Sequence, residues 1–324
     1  MGIGLAIRDR ESSVRVRSLR GKNRAETGLR GQFRRDRSLY CGPPLSANPH
    51  ELEQTIDVLV LVKAYPQPST KYTESVCVAG LRVDTPVPEW VRLYPVQFRL
   101  LNRERQFSKY DLIRVLVRRP TSGDARPESF TPILDTIEKI GHLPSAQGWA
   151  KRWPYIEQVK VASMCELQER QREDGTSLGV FRPYQLTDFE ITPTSPEWDT
   201  GRQAALGQGN LLCENPKLPL EKIPFDFHYS FMCDDTGCRG HRMSMIDWEL
   251  GQHYRQTHGR PEDERLELVM RRWRDDVCGP TRDTHFFAGT LAKRQNQFVL
   301  LGAFWPPKPN RSLRPKPQEL ALFD

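Results

Sequence analysis

The sequence predicts an α+β protein built from a small N-terminal β-barrel-like module, a helical connector and a C-terminal α+β module with a zinc-finger-like Cys/His site. Three observations lead there. Short β-branched runs joined by turn residues, with no helical period between them, fill residues 57–119. From Phe225 to Cys233 the chain alternates with a period of two, and it ends in a cysteine that opens a Cys-x4-Cys pair. Helical spacing follows that pair, and it also precedes it over residues 134–175.

The 324 residues, of which 37% are hydrophobic, suffice for one large or two modest domains with unstructured ends. Their charge is unevenly placed. Residues 1–50 hold eleven Lys/Arg against four acids, which accounts for the whole net charge of +7; the remainder has 37 of each sign. The isoelectric point therefore describes a tail and not a folded body. Residues 1–54 lack sustained apolar periodicity and read as a disordered basic arm. No apolar run approaches the roughly 18 to 20 residues of a membrane span, and Arg8, Asp9 and Arg10 cut short the apolar start at Met1–Ile7. Seven cysteines without a secretory leader argue against a disulfide framework and for metal ligation or inert burial. These features predict a cytoplasmic protein with no membrane partner.

The barrel-like module is placed at 55–133. Its strands are Val58–Val62, closed by Tyr65-Pro-Gln-Pro68, then Ser75–Leu81, Trp90–Phe98 and Asp111–Val117. The connector, 134–219, contains a helix starting near Pro154 and closing at Gly175, with further strands at Leu178–Phe181 and Phe189–Ile191. The C-terminal module, 220–306, begins with the aromatic strand Phe225–Cys233. A helix follows from Met245, where Ser244-x-x-Asp247 fits an N-cap pattern. A second starts near Pro261, and a hairpin of Thr284–Gly289 with Gln297–Trp305 completes the module. Residues 307–324 form a Pro-rich tail.

Two constellations carry chemistry. The first is Cys233-Asp-Asp-Thr-Gly-Cys238 with His241, His253 and His258. Two cysteines separated by four residues can meet one metal from a tight turn, and His253 lies on the inward stripe of the following helix. The arrangement resembles the two-Cys, two-His zinc finger over residues 231–258. It departs from it in the fourteen residues between Cys238 and His253 and in Arg242, where the finger carries an aromatic. Zn2+ is the implied cofactor, with His241, His253 and His258 as alternative partners of the cysteines. The competing reading is two buried thiols and surface histidines. Asp247 and Glu249 flank Trp248; on a helix they diverge, which makes Asp247 a capping residue and Glu249 a solvated one. A metal nuclease would also want a nearby lysine or a third carboxylate, and none follows in the sequence.

The second constellation is basic. Between Trp90 and Arg119 lie eight Lys/Arg against Glu104 and Asp111, interleaved with Trp90, Tyr94, Phe98, Phe107 and Tyr110. Cations among rings suit single-stranded nucleic acid, because ammonium and guanidinium groups hold phosphates while rings stack on bases. Arg92, Tyr94, Arg99, Arg103, Arg105 and Lys109 are the candidate contacts, with Arg92 and Tyr94 on one strand face. The alternative makes the rings core and the arginines a solvated rim. In architecture the module resembles small barrels that bind RNA or modified bases. The expected function is nucleic-acid binding, DNA or RNA, with a structural zinc; a metal-dependent nuclease or hydrolase and a protein-interaction subunit are the alternatives.

Overall fold

A run of β-branched residues buried on both sides cannot be a half-exposed strand, and the first element bears this out. In the computed structural model, which describes residues 53–120, 124, 126–211 and 220–308, strand β1 spans Glu53–Lys63. All but the last two residues of the basic arm, and the tail beyond Lys308, lie outside the described residues.

After β1 come β2 (Gln67–Ser69), β3 (Thr73–Arg82), β4 (Glu89–Val96), β5 (Asp111–Arg118) and β6 (Ser129–Pro132). β1 pairs with β3 and β3 with β4; β4 runs parallel to β6, β6 pairs with β5, and β5 returns to β1 from Glu53↔Arg118 to Leu59↔Leu112. The ring is closed by five strands. The sequence shows only four, because β6 is a four-residue strand between turns and is too short for its own pattern. β2 extends β3 as a hairpin outside the ring.

Alternation decides which side of the barrel each residue serves. Val58, Val60, Val76, Val78, Val91, Leu93, Ile113 and Val115 fill its interior. Leu59, Leu61, Ala79 and Leu81 point outward, yet they are equally buried, against Leu178, Val180, Phe287 and Leu301 of the C-terminal half.

That half is reached through β7 (Glu138–His142), the single turn α1 (Ala146–Trp149), α2 (Trp153–Val159), β8 (Lys160–Val161) and α3 (Met164–Asp174). Beyond them lie β9 (Leu178–Phe181), β10 (Gln185–Pro193), α4 (Thr200–Leu211), β11 (Phe225–Met232) and β12 (His241–Ser244). Then come α5 (Trp248–Gln256), α6 (Glu262–Met270), β13 (His285–Leu291) and β14 (Arg294–Phe304). A four-stranded sheet, β14-β13-β9-β8, lies against the barrel, and a three-stranded sheet, β10-β11-β12, stands beyond it. Phe181, Phe189, Tyr229, Phe231 and Phe286 form the second core with α3, α5 and α6.

The connector is therefore not purely helical. β7 pairs with β5 as an exposed edge strand, and its polar residues give no alternation to read. The helix expected from Met245 starts instead at Trp248, since Ser244 closes β12 and Asp247 itself is the N-cap, accepting from the Glu249 amide at 2.8 Å.

Candidate functional site

A cysteine at a helix start, a cysteine just past a strand, a turn cysteine and a histidine opening the next strand converge beneath the small sheet. Ser163 caps α3 by accepting from the Glu166 amide, which fixes Cys165 in the first turn. Cys233 follows the aromatic strand β11 directly. The turn after it is tied by Cys238 N to Asp235 O (3.0 Å) and Gly237 N to Asp235 Oδ1 (2.8 Å). Gly240, at φ +88°, reverses the chain into β12, a left-handed position that needs a glycine.

The ligand atoms of Cys165, Cys233, Cys238 and His241 all lie within 4.8 Å of one another, and the group can hold a metal ion. Cys165 Sγ is 3.3 Å from His241 Nε2, whose ring stacks on Phe231. Cys238 Sγ accepts the amides of Cys233 (3.3 Å) and Gly240 (3.4 Å). Burial works against ionisation of Cys238, but those amides outweigh it and hold the thiol below its ordinary range. Burial and the neighbouring thiols push Cys165 up, and burial lowers His241, favouring the neutral imidazole that can ligate.

Two expected ligands are elsewhere. His258 lies past α5 and pairs with Glu221 at 3.3 Å, while His253, on α5, is half-buried with Nδ1 unpartnered among the described residues. The fourth donor, Cys165, lies far back in the chain and was missed. Its signal was the Ser163-x-x-Glu166 box, which sets a helix start one residue before it.

The basic set divides. Arg92 is 1% exposed, packed between barrel and sheet, where its guanidinium donates to Ser177 O (3.0 Å), Ser177 Oγ (3.1 Å) and Cys77 Sγ (3.3 Å). It is a core residue and not a surface contact, because the β9–β13 sheet covers the outer face of β4 that carries it. Lys109 is buried as well. Tyr94 is half-buried with Ser75 Oγ at 3.3 Å from its hydroxyl, and Arg99 pairs with Glu74 at 3.0 Å. Arg103 is exposed, and Arg105 lies 3.7 Å from Asp135.

Lys109 reaches from the barrel to two carboxylates of the other half. Its ammonium donates to Asp247 Oδ2 at 2.6 Å and Glu249 Oε2 at 2.9 Å. Thus the lysine absent from the sequence around Asp247 and Glu249 is supplied by the barrel, and Glu249, read as merely solvated, is held by it. Burial pushes Asp247 up against the pull of Lys109; for Glu249 burial is outweighed by Lys109 and then Lys63, leaving its carboxyl low. Lys63 donates to Phe107 O at 2.9 Å and stands over the rings of Phe98 (4.0 Å) and Trp248 (5.3 Å); burial, then Lys109, lowers it to about 8. Among the described residues no helix is long and apolar enough to cross a membrane.

Two family models match the chain. One, described as a domain of unknown function, DUF8757, covers residues 160–324. A second domain of unknown function, DUF8758, covers residues 54–158. No curated protein matches.

Proposed function

The chain belongs to the family of the domain of unknown function DUF8757, and for this member we propose nucleic-acid binding by the barrel, with a structural zinc in the Cys165, Cys233, Cys238 and His241 group. Three thiolates and one imidazole are a donor set that suits tetrahedral Zn2+, and four protein ligands leave no open position for catalysis at the metal. The site ties α3 to the β11–β12 turn, which is what a structural ion does.

The binding reading is carried by one observation: where the second sheet stops covering the barrel, the uncovered rim is basic and aromatic. In chain order the five barrel strands are arranged first, second, third, fifth, fourth and back to first, with third and fifth parallel. Barrels of the OB type share this Greek-key pattern and hold oligonucleotides on their second and third strands and flanking loops. That likeness is of architecture and needs support from residues. Here the second and third strands are β3 and β4, and their outer face is buried over Ala79, Leu81 and Arg92 but open at Tyr94. The loop joining the first two strands adds exposed Lys71 and half-buried Tyr72, whose carbonyl accepts from Gln97 Nε2 at 2.8 Å. Arg99 and Arg103 follow in the two 3-10 turns after β4.

Fluorescence anisotropy with labelled single-stranded DNA and RNA across a salt series tests this. Affinity should fall steeply with salt, and Tyr94→Ala with Arg103→Ala should weaken it by roughly 10- to 100-fold, given about 1 to 3 kcal/mol for a stacked base. Unchanged affinity in a folded double variant would remove the interface.

A further inference from the structure

A metal held by thiolates is a cross-link that an oxidant can cut, because thiolate sulfur stays nucleophilic. In the Cys165, Cys233, Cys238 and His241 group, three thiolates carry one negative charge more than Zn2+ neutralises, which leaves electron density on sulfur.

The three sulfurs are not alike. Cys233 is buried, whereas Cys165 and Cys238 are half-buried and meet solvent. The amides of Cys233 and Gly240 donate to Cys238 Sγ; among the described residues no backbone amide donates to Cys165 Sγ. Amide donors draw charge from a sulfur, so Cys165 is the stronger nucleophile toward an oxidant.

Their mountings differ as well. Cys165 rides on the first turn of α3, which Ser163 caps and the buried Met164 and Leu167 anchor in the core. Cys238 sits in a turn whose residues 234–237, 239 and 240 are exposed. Among the described residues, the hydrogen bonds of 234–239 stay within 233–240, so the turn is tied to little besides itself. The ligand atoms lie within 4.8 Å of one another, and a disulfide brings its sulfurs to about 2.05 Å, so one sulfur has to travel. The self-contained turn can carry Cys238 across. Cys233 cannot follow as readily, because it comes directly after β11 and the buried Phe231 holds that strand end in place.

We propose that Cys165 and Cys238 are an oxidation site for peroxide, and that the disulfide they form replaces zinc as the tie between α3 and the β11–β12 turn. The inference rests on the zinc reading above. The Cys165 thiolate attacks one oxygen of hydrogen peroxide; an S–O bond forms, the O–O bond breaks and hydroxide leaves. The Cys238 thiolate then attacks the sulfur of the Cys165 sulfenic acid, forming the S–S bond and expelling a second hydroxide. Two electrons pass from the pair of sulfurs to the peroxide, and the buffer protonates both hydroxides. Cys233 and His241 remain, two donors where a structural site needs four, and they do not retain the ion. The oxidised chain is thus fastened at the same place by a bond that a chelator cannot remove and a reductant can.

The test treats the full chain, purified with its zinc and freed of reductant, with hydrogen peroxide. A chromogenic chelator reads the zinc set free, and mass spectrometry of non-reduced peptides reads the bond. Release of about one zinc per chain is expected, with a disulfide between Cys165 and Cys238 and recovery of the zinc-loaded form when dithiothreitol and zinc are added. The oxidised, zinc-free chain should melt within a few degrees of the zinc-loaded one, and reduced chain stripped by a chelator should melt well below both. Zinc retained in excess peroxide overturns this inference alone, as does a disulfide that uses Cys233, oxidation only to sulfinic or sulfonic acid, or an oxidised chain that melts as low as the stripped one. A folded chain that holds no zinc, or one whose melting is indifferent to stripping, overturns the zinc reading and this inference together.

Discussion

A residue's sequence neighbours reveal its role only when its partners are also neighbours. Cys233, Cys238 and His241 lie on or beside one short turn, so their convergence is legible from spacing. Cys165 is not, because a helix in another stretch of chain delivers it, and Lys109 reaches Asp247 from the opposite half of the protein. Arg92 misleads for the same reason: its own strand suggests an outer face, but only the tertiary fold says what lies over it. The ligand assignment makes a sharp prediction. Cys165→Ser should release zinc and lower the melting temperature as severely as Cys233→Ser, whereas His253→Ala should keep one zinc per chain. Metal analysis of the purified variants decides it, and zinc loss in His253→Ala with retention in Cys165→Ser would reverse the assignment.

At the scale of elements, strands were legible where one side chain pattern served one purpose. β11 alternates aromatic and polar residues and is read directly, and β1 declares itself through its unbroken β-branched run. β7 and β6 stay hidden, one for want of apolar residues and the other for want of length. Helix α5 joins the two halves through close approach: Gly251 faces the Tyr65 ring so tightly that an added methyl would collide with it. Tyr65 is itself fixed, its amide donating to Ile246 O at 2.8 Å and its hydroxyl to Glu221 O at 2.9 Å, so the ring has little room to give. Gly251→Ala should therefore destabilise the fold by about 1 to 3 kcal/mol through overpacking, despite alanine's better helix propensity. Chemical denaturation measures this, and a stabilised variant would show that the ring yields.

For the whole molecule, the two halves divide in sequence but not in packing. Leu59, Leu61, Ala79 and Leu81 of the barrel share one buried cluster with Leu178, Val180, Phe287 and Leu301, and Arg92 donates across the same boundary to Ser177. The fold should accordingly unfold in one calorimetric transition, and Arg92→Ala, which takes the guanidinium from Ser177 Oγ and Cys77 Sγ and leaves Ser177 O with only the Thr290 amide, should lower that single midpoint by a cost of about 2 to 4 kcal/mol. Two separated transitions would show that the halves are independent. The covered barrel face also has a bearing on inheritance. A free-standing barrel can be traded between proteins as a unit, since its outer surface owes nothing to a neighbour. This one carries leucines and a buried arginine shaped to a particular companion, so a lineage that recombined it with a foreign second half would inherit a sticky, mismatched surface.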